Sequence, residues 1–186
     1  MDRKKLILLV GALIFAIATS LAARALLTGE RTALNFLQTL SSVATTTRRY
    51  VDAVKGTSAA ILDTRKTLPG LRVAQKYAVT VGGGQNQRLA LYAGILIKEN
   101  HIAAAGGIKP AMQAAFALNA HVDIQIEVEN LKELIEAIDA GATNILIDNF
   151  SLEQMKEAVA LNQGRALLEA SGGVGLDQLR AIAQTG

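Results

Sequence analysis

The chain contains no cysteine, which excludes disulfides and thiolate metal sites and fits a reducing compartment. Aromatic residues make up only 4%, against 51% hydrophobic residues dominated by Ala, Leu, Ile and Val. That mixture suits helices packed on parallel strands better than an aromatic-rich β-sandwich. The two histidines, His101 and His121, are too few and too separated to argue a metal site. The net charge of +3 comes with no long Lys/Arg run and no basic segment interleaved with aromatics, so nothing here points to nucleic acid. Gly82-Gly83-Gly84 lacks the GxGxxG spacing of a dinucleotide fingerprint and on its own reads as a turn. A length of 186 residues fits one domain with a core large enough to fold.

What is present begins with a segment unlike the rest. Arg3, Lys4 and Lys5 precede an uncharged apolar run from Leu6 to Ala23. A run of about 18 apolar residues is near the minimum for a membrane-spanning helix. Basic residues in front and small residues at its end also fit a signal peptide. A buried helix is the competing reading, since Gly11, Ala12, Ala16 and Ala18 would allow close packing. Arg24 and Arg31 follow the run closely, so the positive-inside bias leaves its orientation open. The domain division expected is an apolar segment, 1–23, and an α/β domain, 24–186. From Arg24 to Val54 leucines recur at near-helical spacing, with breaks expected at Gly29 and at Thr45-Thr46-Thr47.

After Gly56 the rhythm changes to short apolar runs alternating with amphipathic ones. Strands are expected at 59–62, 92–97, 124–128, 144–147 and 166–169. Helices are expected at 69–78, with Pro69 in the first turn, and at 109–118, 131–140, 152–161 and 176–183. Ser151 is a candidate N-cap, and Gly141 and Gly164 fall where helix C-termini are expected. This alternation predicts a parallel β/α barrel-like domain, incomplete or open, because five strands are fewer than the eight of a closed barrel.

In such folds the working site lies at the carboxyl ends of the strands. Arg65 and Lys66 follow the first expected strand and Lys98 the second. Glu127 sits in the third, Asp148 ends the fourth, and Ser171-Gly172-Gly173 follows the fifth. Each residue alone has an ordinary reading as a solvated charge or helix cap. Five successive strands delivering polar groups at one end argue for a site. Arg65 and Arg88 can hold carboxylates by paired hydrogen bonds, and Lys66 and Lys98 are compact charges suited to phosphate. Glu127 and Asp148 can hold Mg²⁺ or ribose hydroxyls. The turn from Ser171 opens a helix whose free N–H groups favour phosphate. A carboxylated acceptor and a phosphoribosyl pyrophosphate would satisfy this set.

The strings Thr28-Gly29-Glu30-Arg31-Thr32-Ala33-Leu34-Asn35, Asp63-Thr64-Arg65-Lys66-Thr67, Gly82-Gly83-Gly84, Leu96-Ile97-Lys98-Glu99-Asn100-His101, Glu127-Val128-Glu129, Asp148-Asn149-Phe150 and Glu169-Ala170-Ser171-Gly172 resemble quinolinate phosphoribosyltransferases. The resemblance runs from Ala25 to Gly186 in the family's order. It implies the formation of nicotinate mononucleotide, pyrophosphate and CO2 from quinolinate and phosphoribosyl pyrophosphate in de novo NAD synthesis, with Mg²⁺. It also implies a cytoplasmic catalytic domain and a homodimer or larger homo-oligomer, with Arg31 reaching into the neighbouring subunit's site. By the same resemblance Arg31, Arg65, Gln87 and Arg88 face quinolinate, and Lys66 and Lys98 line the site. Glu127 and Asp148 lie near ribose and metal, and Ser171 and Gly172 hold phosphate.

Three departures stand out. Gln87 occupies the position where the family has histidine before Arg88, so a side chain without charge replaces one able to carry it. The apolar segment stands where the family has an N-terminal α/β domain, and the family's final strands lie beyond Gly186. The alternative to an enzyme is an inactive or fragmentary relative acting as an anion-binding module or as an interaction module tethered to a membrane by Leu6 to Ala23. A paralogue linked to molybdenum transport shares much of the scaffold.

Overall fold

The computed structural model describes residues 3–186. The chain forms two compact units, Met1–Val43 and Ala44–Gly186, dividing further along than the change of composition at residue 23. Helix α1, Arg3–Ala53, provides the first unit and enters the second. It runs unbroken through Gly29 and Thr45–Thr47, contrary to the sequence expectation. One glycine in a helix costs only about 1 kcal/mol relative to alanine, and the helix formers Leu26, Leu27, Glu30 and Arg31 stand close on either side. Thr47 is buried in the second unit, against the triple-glycine turn, so packing outweighs its weak helical propensity. Leu13, Phe15, Leu21, Leu26 and Leu37 are exposed along α1. Among the described residues it is the one helix long and apolar enough to cross a membrane.

The second unit alternates strand and helix. Its elements are α2 (Arg72–Val81), β1 (Ile95–Ile97), α3 (Glu99–Ala105), α4 (Ile108–Ala117), β2 (Ile124–Val128), α5 (Leu131–Asp139), β3 (Asn144–Asp148), α6 (Leu152–Asn162), β4 (Leu167–Ser171) and α7 (Leu176–Ala183). The four strands form one parallel sheet in the order β1-β2-β3-β4. Each strand lies beside its sequence neighbour, which is the winding of a barrel; a doubly wound sheet reverses direction partway. The fold is therefore an open, parallel β/α barrel-like sheet.

Four local expectations change. The strand expected at 59–62 reduces to one bridge, Leu62 to Gln85, since beyond it Asp63 turns its carboxylate into a buried cluster. Leu68-Pro69-Gly70-Leu71 is a turn closed by the Leu71 N–H on the Leu68 carbonyl, with Gly70 at φ +76°. Pro followed by a left-handed Gly is a type II signature, so α2 starts after it rather than at Pro69. The strand expected from Tyr92 begins at Ile95 because Leu91–Ala93 curls into a 3-10 turn. Helix α3 intervenes before α4, capped by His101 Nδ1, which accepts from the Lys98 N–H at 3.0 Å. Elsewhere reading and structure agree closely. Ser151 caps α6 in a capping box with Gln154, and Gly141 and Gly164 follow their helices at positive φ.

Side chains alternate across a strand, so register sorts the sheet into two faces. Ile97, Ile126 and Ile145 align on one face and pack with Met112, Leu134, Ala137 and Ala158 of the helices in the main core. The other face carries Gln125, Glu127, Asp148, Glu169 and Ser171. Parallel strands buried on both sides are usually apolar throughout. Here one face is polar, and that face is where a ligand can be met.

Gly82 sits so close to α1 that an added Cβ would fall 2.5 Å from the Ala44 carbonyl oxygen and 2.6 Å from the Thr47 Cβ. Gly82→Ala is expected to destabilise the fold by about 1–3 kcal/mol through overpacking, read as a lower midpoint in urea unfolding.

Candidate anion-binding site

The site is built on two loops braced together below the sheet edge. Asp63 and Lys76 form an ion pair with side chains only 6% and 3% exposed. Lys76 Nζ also donates to the Gln87 carbonyl at 2.9 Å, and the Gln87 N–H donates to Asp63 Oδ1 at 2.8 Å. With the Asn86 amide oriented to match its neighbours, oxygen and nitrogen exchanged, its nitrogen donates to Asp63 Oδ2 at 2.7 Å and to the Lys76 carbonyl at 3.0 Å. One loop continues from Asp63 to Arg65, the other from Gln87 to Arg88. Arg72 steadies the first loop by donating to the Arg65 carbonyl and to Thr67 Oγ1.

The two arginines so placed lie near each other. Burial, and then the charge of Arg65, hold the Arg88 pKa below its ordinary value. Arg88 Nη1 donates to the Gly94 carbonyl at 3.0 Å. Arg65 Nε is buried with no hydrogen-bond partner. Guanidinium groups stay charged in proteins, so two of them close enough for their charges to interact, one with a buried unpaired N–H, favour an anion.

On the polar sheet face Glu169 Oε2 accepts from Gln125 Nε2 at 2.7 Å and from Gln87 Nε2 at 3.0 Å, and Gln87 Nε2 also donates to Gln125 Oε1 at 3.0 Å. Gln87 Oε1 accepts from the Arg88 N–H at 2.6 Å. The ring of two amides and one carboxylate thus ties β2 and β4 to the arginine loop. Lys98, just after β1, pairs with Glu127 on β2 at 2.5 Å, with Glu127 at 12% exposure and Lys98 at 45%. Asp148 and Ser171 are register partners at the ends of β3 and β4, and the Asn149 side-chain amide donates to Asp148 Oδ2 at 2.8 Å. Gly172, at φ +90°, lies so tight on Asn149 that an added Cβ would sit 2.7 Å from its backbone nitrogen.

The structure therefore brings Arg65 beside Arg88, Lys98 onto Glu127, and Asp148 beside Ser171 and Gly172. Lys66 follows Arg65 in an exposed position, and its side chain has no ion-pair partner among the described residues. Arg31 is exposed on α1 in the first unit. Sequence reasoning passed over Asp63, Lys76, Asn86, Gln125 and Glu169 as site residues. Strand alternation could have found Gln125 and Glu169, which share a face with Glu127. Nothing in the pattern of α2 marks Lys76 as buried. Among the described residues no three His, Cys, Asp or Glu side chains gather as a metal cage.

A sequentially wound parallel sheet with cations and carboxylates at its carboxyl ends defines a β/α barrel-type domain. The family described as quinolinate phosphoribosyl transferase, C-terminal domain, matches residues 43–186, and the chain belongs to it. It is 48% identical over 168 residues to the carboxylating nicotinate-nucleotide pyrophosphorylase of Mycobacterium leprae, covering 89% of this chain and 59% of that protein. The solved nicotinate-nucleotide pyrophosphorylase of Francisella tularensis superposes with a TM-score of 0.85 at 48% identity, covering 88% of this chain and 58% of that one. The enzyme of the same name from Ehrlichia chaffeensis gives 0.81 at 43% identity, covering 84% and 57%. The chain thus spans somewhat over half the length of these relatives.

Glu169→Gln replaces the carboxylate of the amide ring with a neutral group bearing a donor that has no acceptor there. A loss of about 1.5–3 kcal/mol is expected, the range for bonds to a charged group, measured by urea unfolding.

Proposed function

We propose that this chain is the substrate-binding and catalytic part of a carboxylating nicotinate-nucleotide pyrophosphorylase, acting on quinolinate and phosphoribosyl pyrophosphate. The buried Arg65 Nε without a partner, on a loop braced to the one that carries Arg88, carries the reading. Quinolinate places two carboxylates on adjacent ring carbons, a match for two neighbouring guanidiniums. Membership of the family and the similarity to the M. leprae enzyme support the substrate pair.

The ring nitrogen forms a bond to the ribose anomeric carbon while the bond to pyrophosphate breaks, its electron pair leaving with the pyrophosphate. The transition state has oxocarbenium character. The pyridinium nitrogen then accepts electron density as the carboxyl on the adjacent carbon leaves as CO2, and a proton takes its place. The protein's part is positioning and electrostatics. Arg65 and Arg88 orient the dicarboxylate. Lys66 and Lys98 lie at the rim to meet phosphate charge, Glu127 and Asp148 face the ribose, and the turn at Ser171 and Gly172 receives phosphate oxygens.

Mg²⁺ fits as an ion delivered with the diphosphate. Glu127 already accepts from Lys98 and Asp148 from Asn149, leaving spare carboxylate oxygen capacity but no complete cage among the described residues. Mg²⁺ commonly binds through one or two carboxylates together with substrate phosphates. Bound there, it would offset the charge of the departing pyrophosphate.

Two further features belong to this reading. Arg31 completes the dicarboxylate site of a second copy in a homodimer, by resemblance to the family. The exposed apolar length of α1 anchors the chain in a bilayer through Leu6 to Ala23, with the α/β unit in the cytoplasm; the helix's length and lack of burial support this.

Pyrophosphate release should require both substrates and be lost on chelation of Mg²⁺. Arg65→Met or Arg88→Met should weaken quinolinate binding by about a hundredfold, the scale of a lost charge-assisted pair, read by titration calorimetry; unchanged affinity in both would overturn the assignment. Gln87→His should tighten quinolinate binding below about pH 6.5, where imidazole is charged; equal affinity would remove Gln87 from the dicarboxylate site. The chain should float with phospholipid vesicles, and deletion of Met1 to Ala23 should leave it in the soluble fraction.

A further inference from the structure

We infer that the buried Asp63–Lys76 pair positions the dicarboxylate site, setting the spacing of Arg65 and Arg88 without touching a ligand. This rests on the reading of Arg65 and Arg88 as the quinolinate site. Four observations converge on it. The pair is almost wholly buried, at 6% and 3% exposure, so it is not a solvated surface bridge. It is bonded to the Gln87 backbone at both the N–H and the carbonyl. Asn86 closes the cluster by contacting both partners. The two chain segments leave this cluster for the arginines after two residues in one loop and one residue in the other, so little backbone freedom separates peg from guanidinium.

Gln87 is held from a second side. Its side chain is fixed by Gln125 and Glu169 on the sheet, while its backbone is fixed by Asp63 and Lys76. The peptide leading into Arg88 is thus located relative to β2 and β4, and the Arg65 loop is located relative to that peptide. The groups assigned to phosphate and ribose at β1, β3 and β4 make none of these bonds. Lys98 pairs with Glu127, and Asp148 is bonded by Asn149. Among the groups assigned to phosphate, Lys66 alone lies on the pegged loop, so loosening the peg should cost quinolinate much more than phosphoribosyl pyrophosphate.

The test compares the full chain with Asp63→Asn, Lys76→Met and the double variant, which leaves no lone buried charge. Each is checked for a cooperative melt, and quinolinate and phosphoribosyl pyrophosphate are titrated separately. The double variant should keep its cooperative melt and lose about tenfold to a hundredfold in quinolinate affinity, the cost of misplacing binding groups by about 1 Å. Its affinity for phosphoribosyl pyrophosphate should fall by no more than about fivefold, the scale of one exposed charge contact, through Lys66. Equal losses for both ligands, or no loss for quinolinate, overturn the inference. Amide hydrogen exchange over 85–89 gives a readout independent of substrate. Faster exchange there in the variants, with the sheet unchanged, supports the peg even where the unsubstituted chain fails to bind quinolinate, a result that would count against the proposed function alone. Unchanged exchange at 85–89 overturns the peg.

Discussion

The site depends on taking one lysine and one aspartate out of water together. A buried charge left without its partner costs about 3–5 kcal/mol, so Asp63 and Lys76 must meet wherever the surrounding chain leads. Asp63 is reached by a bend after the single bridge of Leu62 to Gln85, and Lys76 by the second turn of α2. Their meeting therefore fixes the end of one loop, the start of another and the position of the helix between them. The same cluster consumes the polar groups of Gln87 and Asn86 that would otherwise be free to wander. What emerges from this knot is a pair of arginines whose backbones are held close to one buried ion pair.

The regular part of the second unit was readable because two periodicities were clean. From Ile124 onward each strand is a short apolar run and each helix an amphipathic one, and the elements fall within a residue or two of expectation. The stretch from Ala59 to Gly94 was harder, and the reason is physical. There the ladder shrinks to the backbone bonds of Gln85 with Ile61 and Asp63, and side chains organise the rest: Asp63 holds the Gln87 N–H and Arg72 the Arg65 carbonyl. Pro69 illustrates the point, since proline serves equally in a first helical turn and in a tight turn, and only Gly70 beside it decides. The charged residues at strand ends were legible by position. Lys76 was not, because a lysine on a helix is ordinarily solvated, and nothing local distinguishes the one that a distant aspartate draws inside.

Gln87 shows how one substitution can suit its surroundings. Its amide offers a donor to Glu169 and Gln125 and an acceptor to the Arg88 N–H, so every side of the group is used. Such a group holds its neighbours without a charge that varies near neutral pH. A histidine at this position would bring a charge that varies near neutral pH; the glutamine fills the place with a neutral group whose hydrogen bonds are all met.

The balance of partners around the site decides what it takes. Its carboxylates are answered within the protein: Asp63 by Lys76, Glu127 by Lys98, Glu169 by two amides and Asp148 by Asn149. Its cations are answered less completely. Arg88 has one carbonyl, Lys66 lies exposed without an ion pair among the described residues, and Arg65 Nε is buried without a partner. A buried donor left unpaired costs about 1–3 kcal/mol, a penalty the folded chain carries until an acceptor arrives. Water is a poor substitute at a dry nitrogen beside a second guanidinium, whereas a carboxylate meets both its hydrogen bond and its charge. The polar sheet face thus comes already satisfied and stiff, and the rim comes short of anions, so the free energy available for binding is concentrated where a dicarboxylate would dock.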